Sequence, residues 1–187
     1  GDISINWIHD AGGRVINLLC KGSLRHLEKQ LRKTPEQHVN DIRGIIRKAE
    51  ELDMQVNIYL EDWSNGMISS EDYVYYMLDN LKDDRIDRFM LPDTLGILNP
   101  DQTYAFCKKM VERYPSLNFD FHPHNDYDLA VANIFAAVKA GIKGVHTTIN
   151  GLGERAGNAP LSSVIGVLHD QIGAETGVNE FEITKAN

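Results

Sequence analysis

Phe119-Asp-Phe-His-Pro-His-Asn-Asp126 reads as a buried strand that ends in a pair of metal-type ligands. Alternate residues of a strand face the same side, so His122 and His124 can converge on one ion. Pro123 has no N–H to give to a central ladder, which puts the pair where the strand gives way to its loop. Imidazole is the commonest protein ligand for divalent transition metals. Outward from this stretch, strand and helix alternate about five times. Val15–Leu19, Met54–Leu60 and Arg88–Leu91 are short apolar runs that precede it, and Gly144–Ile149 follows it. Thr34-Pro-Glu36 opens a helix with apolar residues at 39, 42, 45, 46 and 49. Ser70 opens another, with Tyr73, Tyr76, Met77, Leu78 and Leu81 as its buried side. Asn99-Pro100-Asp101 caps a third, to Tyr114. Asp126 or Asp128 caps a fourth, stopped by Gly141, and a last one runs from near Pro160 to His169. Residues 1–14 read as a helix end, 24–34 as a polar stretch, and Ser64-Asn-Gly66 as a turn.

Alternation of this kind implies a parallel sheet with crossover helices. An open doubly wound sheet places its glycine-rich loop after the first strand. Here the loop, Asn150 to Asn158, follows the last one. Every strand also ends in polar residues: Lys21, Glu61, Asp93 with Thr94, His122 with His124, then Asn150. A barrel gathers such ends at one mouth. A whole barrel takes eight strands and about 250 residues, whereas this chain has 187 residues. The expectation is therefore α/β, a partial (β/α)8 TIM barrel made of about the last five βα units. Residues 1–170 form the C-terminal part of the barrel domain, and 171–187 form a tail with the start of a further helix.

A net charge of −8 argues against nucleic acid or an anionic membrane as partner. No apolar run approaches the ~20 residues of a membrane span. Two isolated cysteines, Cys20 and Cys107, make no disulfide framework and fit a reducing, cytoplasmic setting.

Three segments, His122-Pro-His-Asn-Asp126, Leu129-Ala-Val-Ala-Asn133 and Asn150-Gly-Leu-Gly-Glu-Arg-Ala-Gly-Asn158, together give a specific resemblance. The chain resembles the superfamily of α-isopropylmalate synthase, homocitrate synthase and 3-hydroxy-3-methylglutaryl-CoA lyase, TIM-barrel enzymes that use a divalent cation. Tyr59-Leu-Glu-Asp-Trp-Ser-Asn-Gly66 and Leu91-Pro-Asp-Thr-Leu-Gly96 resemble the citramalate and isopropylmalate synthase branch most. The resemblance runs through about residue 170. It implies condensation of acetyl-CoA with a 2-oxo acid followed by thioester hydrolysis, in leucine or isoleucine biosynthesis. It implies Mn, Mg or Zn held by His122, His124 and Asn158. Glu61 matches the family's acid/base or orienting glutamate, and Thr94 the threonine on the oxo acid's carboxylate. Tyr59 and Asn150 are expected at the substrate, Asn125 behind the histidines, and a homodimer as the assembly.

The family's remaining metal ligand, an aspartate beside an arginine on the first barrel strand, has no counterpart here. Asp10 follows His9 at a helix end. The expectation is that the chain alone is inactive. Lyases of the family carry a cysteine in the last glycine-rich loop, and this loop has none, which favours a synthase over a lyase. A metal-binding half barrel without activity is the non-enzymatic alternative. Blander readings stand beside these: Asp126 as a helix cap, Glu154 pairing with Arg155, and His9, His26, His38 and His169 on the surface. His146 shares a strand with Thr148 and can face the barrel interior.

Overall fold

A computed structural model describes residues 2–186. Five strands, β1 (Val15–Lys21), β2 (Gln55–Glu61), β3 (Arg88–Asp93), β4 (Phe119–Pro123) and β5 (Gly144–Val145), form one sheet in the order β1-β2-β3-β4-β5. A doubly wound sheet would reverse its order at a switch point. Strict succession with helices between parallel strands is the barrel pattern, so the chain is a partial TIM barrel, as the alternation predicts. It divides into two compact units: Gly1–Pro92 with Leu117–Phe119, and Asp93–Ser116 with Asp120–Asn187.

The first unit holds α1 (Asp2–Asp10), α2 (Leu24–His26, running on as a π-helical turn over Leu27–Leu31), α3 (Pro35–Glu51), α4 (Trp63–Ser69) and α5 (Glu71–Leu81). Parallel register pairs Ile16 with Val56 and Cys20 with Leu60 on one face of β1 and β2. These four are buried, as are Val39, Ile42, Ile46 and Ala49 of α3 and Tyr73, Met77, Leu78 and Leu81 of α5. Burial of one such aliphatic side chain contributes about 1.5–3 kcal/mol. The other face carries Asn17 with Asn57, Leu19 with Tyr59, and Lys21 with Glu61. The start of α3 is a full capping box: Thr34 Oγ1 accepts from Gln37 N–H, and the Gln37 side chain accepts from Thr34 N–H.

Several expectations fail in this unit for identifiable reasons. Residues 24–31 are helical because Leu27 is fully buried and anchors the turn. Ser64-Asn-Gly66 is not a turn but the middle of α4, where Trp63 and Met67, one turn apart, are both buried. Ser70 does not cap α5 through its side chain; its hydroxyl accepts from Leu24 N–H at 3.1 Å. Tyr76 leaves the predicted stripe and is exposed. His38 is buried, not on the surface, and its Nε2 accepts from Lys21 N–H at 3.1 Å. His26 is mostly covered and lies 3.4 Å from the buried Asp62 carboxylate.

The second unit holds α6 (Pro100–Arg113), α7 (Ala130–Lys139), α8 (Leu161–Ile172) and α9 (Glu180–Ala186), with α6 packed on α7 and α7 on α8. Asn99 and Gln102 form a second capping box at α6. Strands β4 and β5 pair Asp120 with Gly144 and Phe121 with Val145. The strand predicted over 144–149 stops at Val145. His146 N–H makes one further bond, to Phe121 O. Thr148 then turns to its own loop, donating to Ala159 O and accepting from Leu161 N–H. Neither Asp126 nor Asp128 caps α7. Asn125 Oδ1 takes Ala130 N–H at 3.1 Å, and its amide group donates to Asp128 Oδ1 at 3.2 Å. Among the described residues, no helix is long and apolar enough to cross a membrane.

Candidate functional site

His122 is the penultimate residue of β4, and His124 follows the strand. Their rings meet edge to face with centroids 5.2 Å apart. His124 is held by its own backbone, whose N–H donates to Asp93 O at 3.2 Å while its neighbour Asn125 donates to Gly157 O at 3.0 Å. An antiparallel bridge joins His124 to Asn158. Asn158 Nδ2 lies 3.3 Å from His122 Nε2 and donates to Pro123 O at 3.2 Å. His122, His124 and Asn158 are therefore brought together, by the end of one strand and the far end of the glycine-rich loop.

Two glycines shape that loop. At Gly153 an added Cβ would lie 1.9 Å from Asn158 Oδ1. At Gly157 the backbone has φ +89°, and a Cβ would lie 2.1 Å from Gly151 O. Only glycine fits both the angle and the approach at 157. The loop is also tied outward. Arg155 gives two 2.8 Å bonds to the Asp126 carboxylate and a third, also 2.8 Å, to Thr94 O. One guanidinium thus joins the segments after β3, β4 and β5. The predicted partner, Glu154, lies 3.9 Å away and is the weaker contact. Asp126 is the stronger partner of Arg155, and the Arg155 hydrogen bond holds its carboxyl below the usual carboxylate range.

Both histidines are neutral at ordinary pH. Burial first, then the neighbouring His146 and His124, push His122 down to about 4. Burial and Arg155 push His124 down, against acidic neighbours that pull it up. Neutral imidazoles keep a lone pair for a Lewis acid. His124 Nδ1 is buried with no hydrogen-bond partner, an orphan that a bound cation would satisfy. Two imidazoles and an amide thus fit a divalent ion in part. Among the described residues, no group of three or more His, Cys, Asp or Glu side chains could hold a metal, so a third strong ligand is not among them.

Thr94 follows β3, half-buried, in a segment braced by Asp93, whose carboxylate accepts from Ile97 and Leu98 N–H at 3.1 and 3.0 Å. Asn150 is exposed, with a left-handed φ of 54°. The side-chain amide of Asn125 serves Asp128 and the start of α7 rather than the imidazoles, so the expected place behind them is not where its hydrogen bonds go. In the first unit, Tyr59 and Glu61 share one face of β2, as alternation requires, and Glu61 forms a cross-strand ion pair with Lys21. A Ser23, Asp62 and His26 group in that unit is not a nucleophilic triad. The serine hydroxyl donates to the carboxylate at 2.7 Å rather than to the imidazole.

Sequence reasoning missed His146 and Asp120 as neighbours of the histidine pair. His146 Nδ1 is 3.3 Å from His122 Nδ1, and its Nε2 is 3.3 Å from Asp120 Oδ2. The signal was available in the period of two: Asp120, His122 and His124 all fall on one face.

A family model described as HMGL-like matches residues 3–187. A 2-isopropylmalate synthase of Sulfolobus acidocaldarius is 34% identical over 172 residues, 92% of this chain and 44% of that protein. A homocitrate synthase of the same organism is 35% identical over 152 residues, 80% of this chain and 31% of that one. The chain thus spans less than half the length of these curated relatives. Among solved structures, the HMG-CoA lyase of Bacillus subtilis superposes with a TM-score of 0.85 at 20% identity, over 98% of this chain and 64% of that one, a likeness of fold.

Proposed function

Because the chain belongs to the HMGL-like family, we propose that it carries the metal-holding part of a synthase that condenses acetyl-CoA with a 2-oxo acid, of the isopropylmalate or citramalate kind. The observation that carries the reading is the convergence of His122, His124 and Asn158, with the orphaned His124 Nδ1. A divalent cation bound there would supply Lewis acidity toward an oxo-acid carbonyl. The chain's own residues present two neutral imidazoles, fix Asn158 through Pro123 O, and hold the surrounding loops in place through Arg155. Thr94 is proposed to bind the oxo acid's carboxylate, with Tyr59 and Asn150 near the substrate. Glu61 is proposed to manage or orient a proton of the acetyl group. These four roles rest on the resemblance. The loop that carries a cysteine in the lyases has none here, and both cysteines of the chain are buried, which favours condensation over cleavage. A homodimer and a cytoplasmic setting belong to the same proposal.

Mn²⁺ binding, followed by the relaxation of water protons, tests the site. The reading expects binding that His122→Ala and His124→Ala each abolish, and a further change on adding pyruvate, 2-oxoisovalerate or 2-oxoglutarate. Binding unaffected by either substitution overturns it. Release of free CoA from acetyl-CoA by the chain alone, with any of the three oxo acids, would overturn the expectation that it is inactive on its own.

A further inference from the structure

The β4/β5 register stacks two short patterns on one face. Asp120 pairs with Gly144 and Phe121 with Val145, and His146 N–H bonds Phe121 O. Residues two apart share a face, so Asp120 and His122 on β4 stand beside Gly144 of β5 and His146 just past its end. A Cβ at Gly144 would lie 1.9 Å from Asp120 Oδ1. Glycine there leaves the room that the buried carboxylate occupies.

Donor and acceptor roles along the resulting row are determined from one end. An ionised carboxylate can only accept. His146 Nε2–H therefore donates to Asp120 Oδ2 across 3.3 Å. With its proton on Nε2, His146 presents the Nδ1 lone pair to His122 Nδ1 at 3.3 Å. His122 must donate from Nδ1 and is left with its lone pair on Nε2. At that nitrogen stands Asn158 Nδ2, a donor, at 3.3 Å. Every contact in the row is satisfied by this one assignment, and the opposite tautomer of His146 would set a proton against a proton at His122.

We propose that His146, braced by Asp120 over Gly144, is a positioning residue that locks His122 in the Nδ1–H tautomer and so leaves its lone pair on Nε2, the nitrogen that faces the Asn158 side chain. His146 touches no reacting atom in this scheme; it acts through His122. Outer partners of metal-binding histidines commonly do this, and their loss typically weakens metal affinity by about 10–100-fold. The inference rests on the metal reading for its purpose, but its geometry can be tested without metal.

Histidine-labelled chain is examined near neutral pH by a long-range proton–nitrogen correlation spectrum, metal-free. The expected pattern for His122 is a protonated Nδ1 and a bare Nε2. His146→Asn keeps an acceptor close to the lost Nδ1 and retains that pattern. His146→Leu and Asp120→Leu shift His122 toward the Nε2–H form. The same variants are then titrated with Mn²⁺. His146→Leu binds about tenfold or more weakly, and His146→Asn recovers most of the loss. A bare Nδ1 on His122 in the unaltered chain overturns the proposal, as does an unchanged tautomer in a folded His146→Leu variant. If that variant does not fold, the spectrum of the unaltered chain still decides. Failure of the unaltered chain to bind Mn²⁺ would instead overturn the metal reading, with the tautomer result standing on its own.

Discussion

Replacing Gly157 by alanine should cost the second unit about 2 kcal/mol or more. The backbone angle of +89° is one that an L side chain adopts only at about 1–2 kcal/mol. The new methyl would also sit 2.1 Å from the carbonyl oxygen of Gly151, a backbone atom that cannot swing aside. Overpacking of this sort costs about 1–3 kcal/mol. The loop can escape the clash by opening, but it then gives up the bond from Asn158 N–H to Gly151 O and the one from Asn125 N–H to Gly157 O, each about 1 kcal/mol. Either route reaches the same lower bound. The assay is urea unfolding followed by far-ultraviolet circular dichroism, with hydrogen exchange at the Asn125 and Asn158 amides as the local readout. Gly166→Ala in α8 is the control, since a Cβ there meets nothing within 4 Å. It should stabilise by about 0.5–1 kcal/mol, as removing an interior helix glycine does. Equal stability of the two variants, or unchanged exchange at Asn158, would refute the account of the loop.

Arg155→Leu should loosen the segments after β3, β4 and β5 together, raising exchange at the Gly96 and Asn125 amides. The cost should be about 1–2 kcal/mol, because the pair is partly exposed but bidentate. Faster exchange confined to residues 149–158 would contradict the shared tie. His38 predicts an acid-side weakness. Burial lowers its pKa from the ordinary 6.5, so stability is fully present above that value and is lost as pH falls toward the lowered native one. The urea midpoint should drop between neutral and mildly acidic pH, and less so in His38→Gln; a flat profile refutes this. Burial pushes both thiols up, so Cys20 and Cys107 should resist a thiol reagent in the native chain and react together once denaturant is added. Stoichiometric labelling of the native chain within seconds would refute it.

Much of this was legible from local pattern. Thr34-Pro35 and Asn99-Pro100 announce capped helices because capping is a matter of three or four adjacent residues. His122 and His124 were visible because a period of two needs no knowledge of the partner strand. What failed depended on neighbours distant in sequence. Ser64-Asn-Gly66 carries turn residues, yet Trp63 and Met67 find a buried place and draw the segment into α4. Asp126 looked like a cap until Arg155, 29 residues on, took its carboxylate. The Asp120–His146 contact follows from the pairing of Asp120 with Gly144, and a register between strands is not written in either strand alone.

The dipeptide Asn-Gly occurs at 65–66 and again at 150–151, and the fold gives the two copies different lifetimes. An asparagine deamidates when the next residue's amide nitrogen attacks its side chain. Asn65 is inside α4, its side chain donating to Asp62 Oδ1 at 2.8 Å and the Gly66 amide bonded to Asp62 O at 3.0 Å. Asn150 stands exposed in a loop, and the Gly151 amide has only a long 3.3 Å bond to Thr148 O. On storage, peptide mass analysis should find the modified residue at 150 well before 65. The new carboxylate would arise in the loop that ends at Asn158, so an ageing sample would change the charge of that loop while its helices stayed intact. Deamidation at 65 first would show that the loop is held more tightly than its hydrogen bonds suggest.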